Sequence, residues 1–91
     1  MASAIRRTSG FRRDYKREKR ANPSLDELLV PILTMLLAGE KLPVRNKDHP
    51  LSGNWSGYRD CHLKPDLVLI YKRDEDDLVL VRLGSHAELF D

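Results

Sequence analysis

Cysteine is almost missing from this sequence: Cys61 is the single one among 91 residues. A disulfide within the chain is therefore excluded, and so is a cysteine-built zinc site. Long apolar runs are missing too. The longest mostly apolar stretch, Leu28 to Ala38, is too short to span a bilayer and contains Pro31. The basic first twenty residues hold no apolar core, so no secretory leader is expected and the expected location is the cytoplasm. No internal repeat or low-complexity segment is present. With 91 residues there is room for one domain, which buries only about 60–65% of its extended surface and has a modest stability margin.

Acidic residues are nearly absent from the first 22 positions, where Asp14 and Glu18 stand against Arg6, Arg7, Arg12, Arg13, Lys16, Arg17, Lys19 and Arg20. That balance of +6 leaves −4 for the remainder, given a net charge of +2. Such asymmetry points to a polyanion or an acidic partner on the N-terminal side, although a solvated helix face produces the same count.

Periodicity divides the chain into a helical half and a strand half. Ala4 to Thr8 reads as a short first strand, and Gly10 to Ala21 as a basic helix with Phe11 and Tyr15 at i, i+4. Asn22 and Pro23 break it. Ser24 and Glu27 form the pattern of a capping box, followed by Leu25, Leu28, Leu29, Ile32, Leu33, Leu36 and Leu37 at helical spacing. Pro31 should kink this helix and Gly39 should end it. Trp55 to His62, Leu67 to Tyr71 and Leu78 to Leu83 then read as strands, the last two joined by the charged stretch Arg73 to Asp77. Two helices followed by three consecutive strands predict an α+β fold, with the helices packed on a small antiparallel sheet. Leu67 to Tyr71, apolar throughout, should be its central, doubly covered strand.

The chemistry-bearing residues gather in the second half: His49, His62, His86, Asp48, Asp60, Asp66, Arg59 and Arg82. Strand alternation places Tyr58, Asp60 and His62 on one face, and Leu78, Leu80 and Arg82 on one face. A sheet of this kind can collect Asp60, His62, Asp66, Arg82 and His86 for acid–base work on a phosphodiester. RNA carries its own nucleophile, the 2′-hydroxyl. An enzyme need only remove that proton, protonate the leaving 5′-oxygen and stabilise the phosphorane. Histidine suits the first two tasks and arginine the third; no metal or other cofactor is required. Plainer roles compete: a turn hydrogen bond for His49, a solvent-facing strand position for His62, a surface ion pair for Arg59 and Asp60, a core role for Trp55 and Tyr58. The spacing of His62 and Asp66 also suits a metal pair, but lacks a convincing third ligand.

The stretch from Lys47 to His62 (KDHPLSGNWSGYRDCH), then Pro65 to Lys72 (PDLVLIYK), then Arg82 to Phe90 (RLGSHAELF) closely resembles the YafQ family of type II toxin–antitoxin systems. The N-terminal half matches only in pattern. The family belongs to the RelE/ParE superfamily, so the resemblance implies a RelE-like microbial ribonuclease-type fold in a single domain over residues 1–91. It implies a toxin that enters the ribosomal A site and cleaves messenger RNA there, leaving a 2′,3′-cyclic phosphate. It also implies a cognate antitoxin in a hetero-oligomer, with operator DNA reached only through that antitoxin and no membrane partner.

Carried over by motif, the functional positions are His49, His62, Asp66, Arg82, His86 and Phe90, with Arg59 and Lys47 as further substrate contacts. His86 would be the general acid and Arg82 the phosphorane stabiliser. His49 or Asp66 would be the base, His62 would position the substrate, and Phe90 would stack on a base. A member of the family has an aromatic residue where Leu67 stands here; if that aromatic helps to hold the nucleotide, the codon preference differs while the chemistry survives. Two rivals share the fold: a ParE-like toxin that binds gyrase, and an inactive module that only binds RNA or antitoxin. The histidine set argues against both.

Overall fold

In the computed structural model, which describes residues 3–90, the basic N-terminal stretch forms a strand and then a helix. Strand β1 (Ala4–Arg7) leads into α1 (Ser9–Ala21). Thr8 caps that helix: its hydroxyl accepts the Phe11 N–H at 3.0 Å and donates to the Val81 carbonyl at 2.7 Å. Asn22 ends α1, and its Oδ1 accepts the Ser24 N–H at 3.1 Å, turning the chain into α2 (Leu25–Leu37).

The capping box expected at Ser24 and Glu27 does not form. Ser24 is already bent toward the helix (φ −89°, ψ 12°) and its carbonyl takes the Glu27 N–H, so its hydroxyl makes no cap bond. Helix α2 continues through Pro31 without interruption, the proline lying on its exposed side, while Leu25, Leu29, Ile32 and Leu36 are buried. It ends as expected at Gly39. There φ is +74°, and the N–H groups of Glu40 and Gly39 close on the carbonyls of Met35 and Leu36, a Schellman turn.

Strands β2 (His49–Pro50), β3 (Arg59–Lys64), β4 (Leu67–Asp74) and β5 (Asp77–Gly84) complete a five-stranded sheet of order β1-β5-β4-β3-β2. Strands β2 to β5 pair antiparallel, as the sequence predicts; β1 adds a parallel edge beside β5. The strand expected from Trp55 begins only at Arg59. Residues Gly53–Trp55 form a 3₁₀ turn, and Gly57 sits at φ +93°, a conformation that breaks an extended run. The β4–β5 hairpin closes tightly on Glu75 and Asp76.

β4 is covered on both faces, as predicted for the central strand. On one face Leu67, Leu69 and Tyr71, with Leu78, Leu80 and Leu83 of β5, pack under Phe11 and the α2 leucines. On the other face Val68 and Ile70 pack against Leu89 of a third helix, α3 (His86–Phe90), and against Trp55, Tyr58 and Val81. Among the described residues, no helix is long and apolar enough to cross a membrane.

The alternation of β5 is interrupted once. Ile70 lies opposite Arg82 and Tyr71 opposite Leu80, so Val81 is an extra residue in a β-bulge. The expectation that Leu78, Leu80 and Arg82 share a face is therefore corrected. Leu78 and Leu80 face the helices, whereas the inserted residue turns the Arg82 position to the opposite face.

Candidate active site

Register defines the surface opposite α1 and α2. Asp60, Ile70 and Arg82 form one cross-strand row, and His62, Val68 and Gly84 form the next. With strands about 4.8 Å apart, the Asp60 and Arg82 backbones lie about 10 Å from each other across that face. The His62 and His86 rings are 5.1 Å apart, and Phe90 is 5.7 Å from His86. Phe90 also meets Trp55 at 6.3 Å, and Trp55 stands edge-on to Tyr58 at 5.3 Å. A patch of aromatic rings thus borders the two imidazoles. Lys72, four positions beyond Val68 on the same face, holds its ammonium 5.2 Å from the Tyr58 ring centre.

Hydrogen bonds settle which nitrogen of two histidines carries a proton. His49 Nδ1 is 2.7 Å from the Lys47 carbonyl, and His62 Nδ1 is 3.3 Å from the Pro65 carbonyl. A carbonyl can only accept, so Nδ1 donates in both, and Nε2 is the nitrogen left for exchange with a substrate. Lys47 presents its carbonyl from a left-handed backbone conformation, φ 47°.

Asp60 is buried beneath this group. Its Oδ1 lies 3.2 Å from His49 Nδ1, but that N–H is directed at Lys47, and the buried oxygen has no hydrogen-bond partner. Burial pushes the Asp60 carboxyl above the ordinary carboxylate range, while the charges of His49, His62 and His86 pull it back.

His86 is fixed by its place at the start of α3. Ser85 and Glu88 make the reciprocal capping box there: Glu88 Oε1 accepts the Ser85 N–H at 2.9 Å, and Ser85 Oγ accepts the Glu88 N–H at 3.2 Å. Asp66, largely exposed, accepts the His86 backbone N–H at 3.3 Å and lies 3.7 Å from its Nδ1.

Arg82 is anchored from α1. Its Nε donates to Asp14 Oδ2 at 2.6 Å and its Nη2 to Asp14 Oδ1 at 3.3 Å. Burial alone would raise the Asp14 carboxyl. The hydrogen bonds from Arg82 and the Leu83 N–H, with the charges of Arg82 and Arg17, outweigh it and hold the group below its usual range.

Of two further residues named from sequence, Arg59 stands apart and Lys47 lies beside the histidines. Arg59 pairs with Tyr71 in register, on the helix side of the sheet, and its Nε donates to Asp48 Oδ1 at 3.2 Å. Lys47 is exposed and lines a cleft of about 400 Å³ with Arg45, Lys64 and His62. Cys61 is fully buried; burial pushes its thiol up to about 12, too high for a nucleophile at neutral pH. Leu67 is buried in the core under the helices, away from the histidine face. Among the described residues, no three of His, Cys, Asp and Glu converge as a metal-ligand set.

Residues 3–91 match the family model described as the bacterial toxin of the type II toxin–antitoxin system, YafQ. This chain belongs to the YafQ family. The mRNA interferase toxin YafQ of Escherichia coli K12 is 40% identical over 81 residues, covering 88% of this chain and 87% of that protein. The crystal structure of YafQ from E. coli BL21(DE3) superposes with a TM-score of 0.88 at 36% identity, covering 96% of this chain and 97% of that one. The E. coli DinJ–YafQ complex gives 0.86 at 38% identity, covering 96% and 97%. A metal-bound toxin from Helicobacter pylori gives 0.89 at 39% identity, covering 99% and 100%. The resemblance read in the motifs and the α+β fold are therefore both borne out.

Within this YafQ-family chain, the structure collects His62, His86 and Phe90, places His49 against Asp60, and seats Asp66 at the His86 backbone. Sequence reading carried no role to Asp14, Arg45, Lys64 or Lys72. Lys72 could have been found by continuing the alternation of Val68 and Ile70. Asp14 could not, because a lone acid among arginines and lysines reads as a solvated countercharge.

Proposed function

We propose that this YafQ-family chain is a ribosome-dependent endoribonuclease toxin that cleaves messenger RNA in the A site. The observation that carries the reading is the His62–His86–Phe90 group, two imidazoles and a phenyl ring within 6 Å steps on one open face. The mRNA interferase activity named for the E. coli relative supports it.

In this mechanism the 2′-hydroxyl attacks the adjacent phosphorus, forming the 2′,3′-cyclic phosphate, while the bond to the 5′-oxygen breaks. His86 donates a proton to that oxygen, and Arg82 stabilises the charge of the phosphorane. His49 takes the 2′-hydroxyl proton on Nε2, a role favoured over Asp66 because Nδ1–H is already tied to Lys47 and Asp66 is engaged with the His86 backbone. His62 positions the phosphate, Phe90 stacks on a base, and Lys47 neutralises backbone charge. No step draws on a metal. Arg59 acts on the far side of the sheet by bracing the loop of Asp48.

The protein works in the cytoplasm and is held inactive by an antitoxin, as E. coli YafQ is found with DinJ. An acidic antitoxin segment docks on the basic face of α1, and operator DNA is contacted only through the antitoxin.

Primer extension on a defined messenger bound to programmed ribosomes tests this. Wild type produces new ends in the A-site codon. His86→Ala reduces them by about 10²–10⁴-fold, the range for loss of one general acid. A 2′-deoxy residue at the cleavage position abolishes them. Wild-type cleavage by His86→Ala, or of the deoxy substrate, overturns the mechanism.

A further inference from the structure

We infer that Gly10 and Asp14 of α1 form a seat that positions Arg82 for the reaction, so that the N-terminal helix is part of the active-site apparatus. The inference rests on the proposed role of Arg82. Asp14 is fully buried, and an ionised group in that setting persists only when its acceptors are filled. They are: Oδ2 accepts Arg82 Nε at 2.6 Å and the Leu83 N–H at 3.0 Å, and Oδ1 accepts Arg82 Nη2 at 3.3 Å and Arg17 Nη1 at 3.1 Å. The carboxylate thus holds both the backbone just after Arg82 and one edge of its guanidinium. Nη1 takes no part in the pair, which leaves a donor group for a substrate oxygen.

One helical turn earlier, Gly10 leaves room for the same side chain. A Cβ there would stand 3.1 Å from Arg82 Cδ. Glycine disfavours a helix relative to alanine, and here the missing methyl lets the arginine stem lie against the helix. Two residues of α1 at i, i+4 therefore fix one arginine, at its stem and at its head. A guanidinium on a flexible stem is otherwise free to sample several rotamers, and misplacement of a reacting group by about 1 Å can cost about 10²-fold in rate.

The test is single-turnover cleavage on programmed ribosomes with Asp14→Asn, Gly10→Ala, Arg82→Ala and the double variant Asp14→Asn/Arg82→Ala. Asparagine keeps an acceptor for the Leu83 N–H but loses the charge. Asp14→Asn should lower the maximal rate by about 10²-fold at unchanged half-saturation, and should add nothing when Arg82 is already alanine. Gly10→Ala should slow the reaction severalfold with an unchanged or raised Tm, an outcome that a purely structural role would not give.

If Arg82→Ala is impaired while Asp14→Asn cleaves at the wild-type rate, the seat is overturned and the site reading stands. An additive loss in the double variant overturns it likewise. Wild-type cleavage by Arg82→Ala overturns the site reading and the seat together. Should Asp14→Asn not fold, Gly10→Ala decides: a wild-type rate overturns the seat.

Discussion

Asp60 illustrates what a single residue does in this molecule. Its folded-state pKa is raised from the ordinary 3.8, chiefly by burial. The folded protein therefore holds this proton at pH values where the unfolded chain has already released it. The group's contribution is most favourable below the unfolded value, and stability is lost as pH rises through the folded one. Asp60→Asn removes that penalty. The variant should unfold about 4–8 °C above wild type at pH 7 for a gain of about 1 kcal/mol, with the difference shrinking toward pH 4 and below. Thermal unfolding followed by circular dichroism at the two pH values checks it, and a variant less stable than wild type at pH 7 would refute the account. A buried carboxyl kept beside His49 at a cost in stability fits the proposed function better than it fits a folding role. Asp60 was legible in the sequence because it alternates with His62 along β3. Its burial was not, since nothing in its neighbours reports that α3 and the loop before β3 cover that face.

At the scale of elements, the long helices and strands could be read from periodicity, and the local departures that build the site could not. The bulge at Val81 is one such departure. Alternation assumes that no residue is inserted, and Val79, Leu80 and Val81 look alike in a continuous apolar run. Helix α3 is another, because five residues are too few to show a helical period. Capping is a third, because the same Ser-x-x-Glu spacing occurs at two places and only one of them makes the bonds. Ser24 and Glu27 carry the pattern without the bonds, whereas Ser85 and Glu88 make both. Ser85→Ala should therefore cost about 1 kcal/mol and slow cleavage through the displaced His86, while Ser24→Ala should be nearly neutral. Urea unfolding with parallel cleavage assays separates them; equal losses from the two substitutions would show that the Ser85 cap does not hold α3.

At the scale of the whole molecule, the basic N-terminal half serves two purposes that composition merges. Arg17, although exposed, is tied back onto the protein, reaching Asp14, Glu18, Glu88 and the Leu83 carbonyl. Arg12, Arg13 and Lys16 point outward and are exposed. Replacing those three with alanine should weaken antitoxin binding about tenfold or more and flatten its salt dependence, as measured by calorimetry at two ionic strengths. Arg17 should be left intact, because its loss would disturb Asp14. Unchanged affinity would move the antitoxin interface elsewhere. The sheet order has a consequence of another kind. Among the described residues, strand β1 is paired only with β5, and Asp14 of α1 holds Arg82 and Leu83, so these contacts must wait until β5 has been made. On the proposed function, the seat of Arg82 is therefore assembled only after β5 has been synthesised, although the helix that supplies it was made long before. A chain that stops short of β5 would carry the helix without the arginine it holds, and so no assembled site.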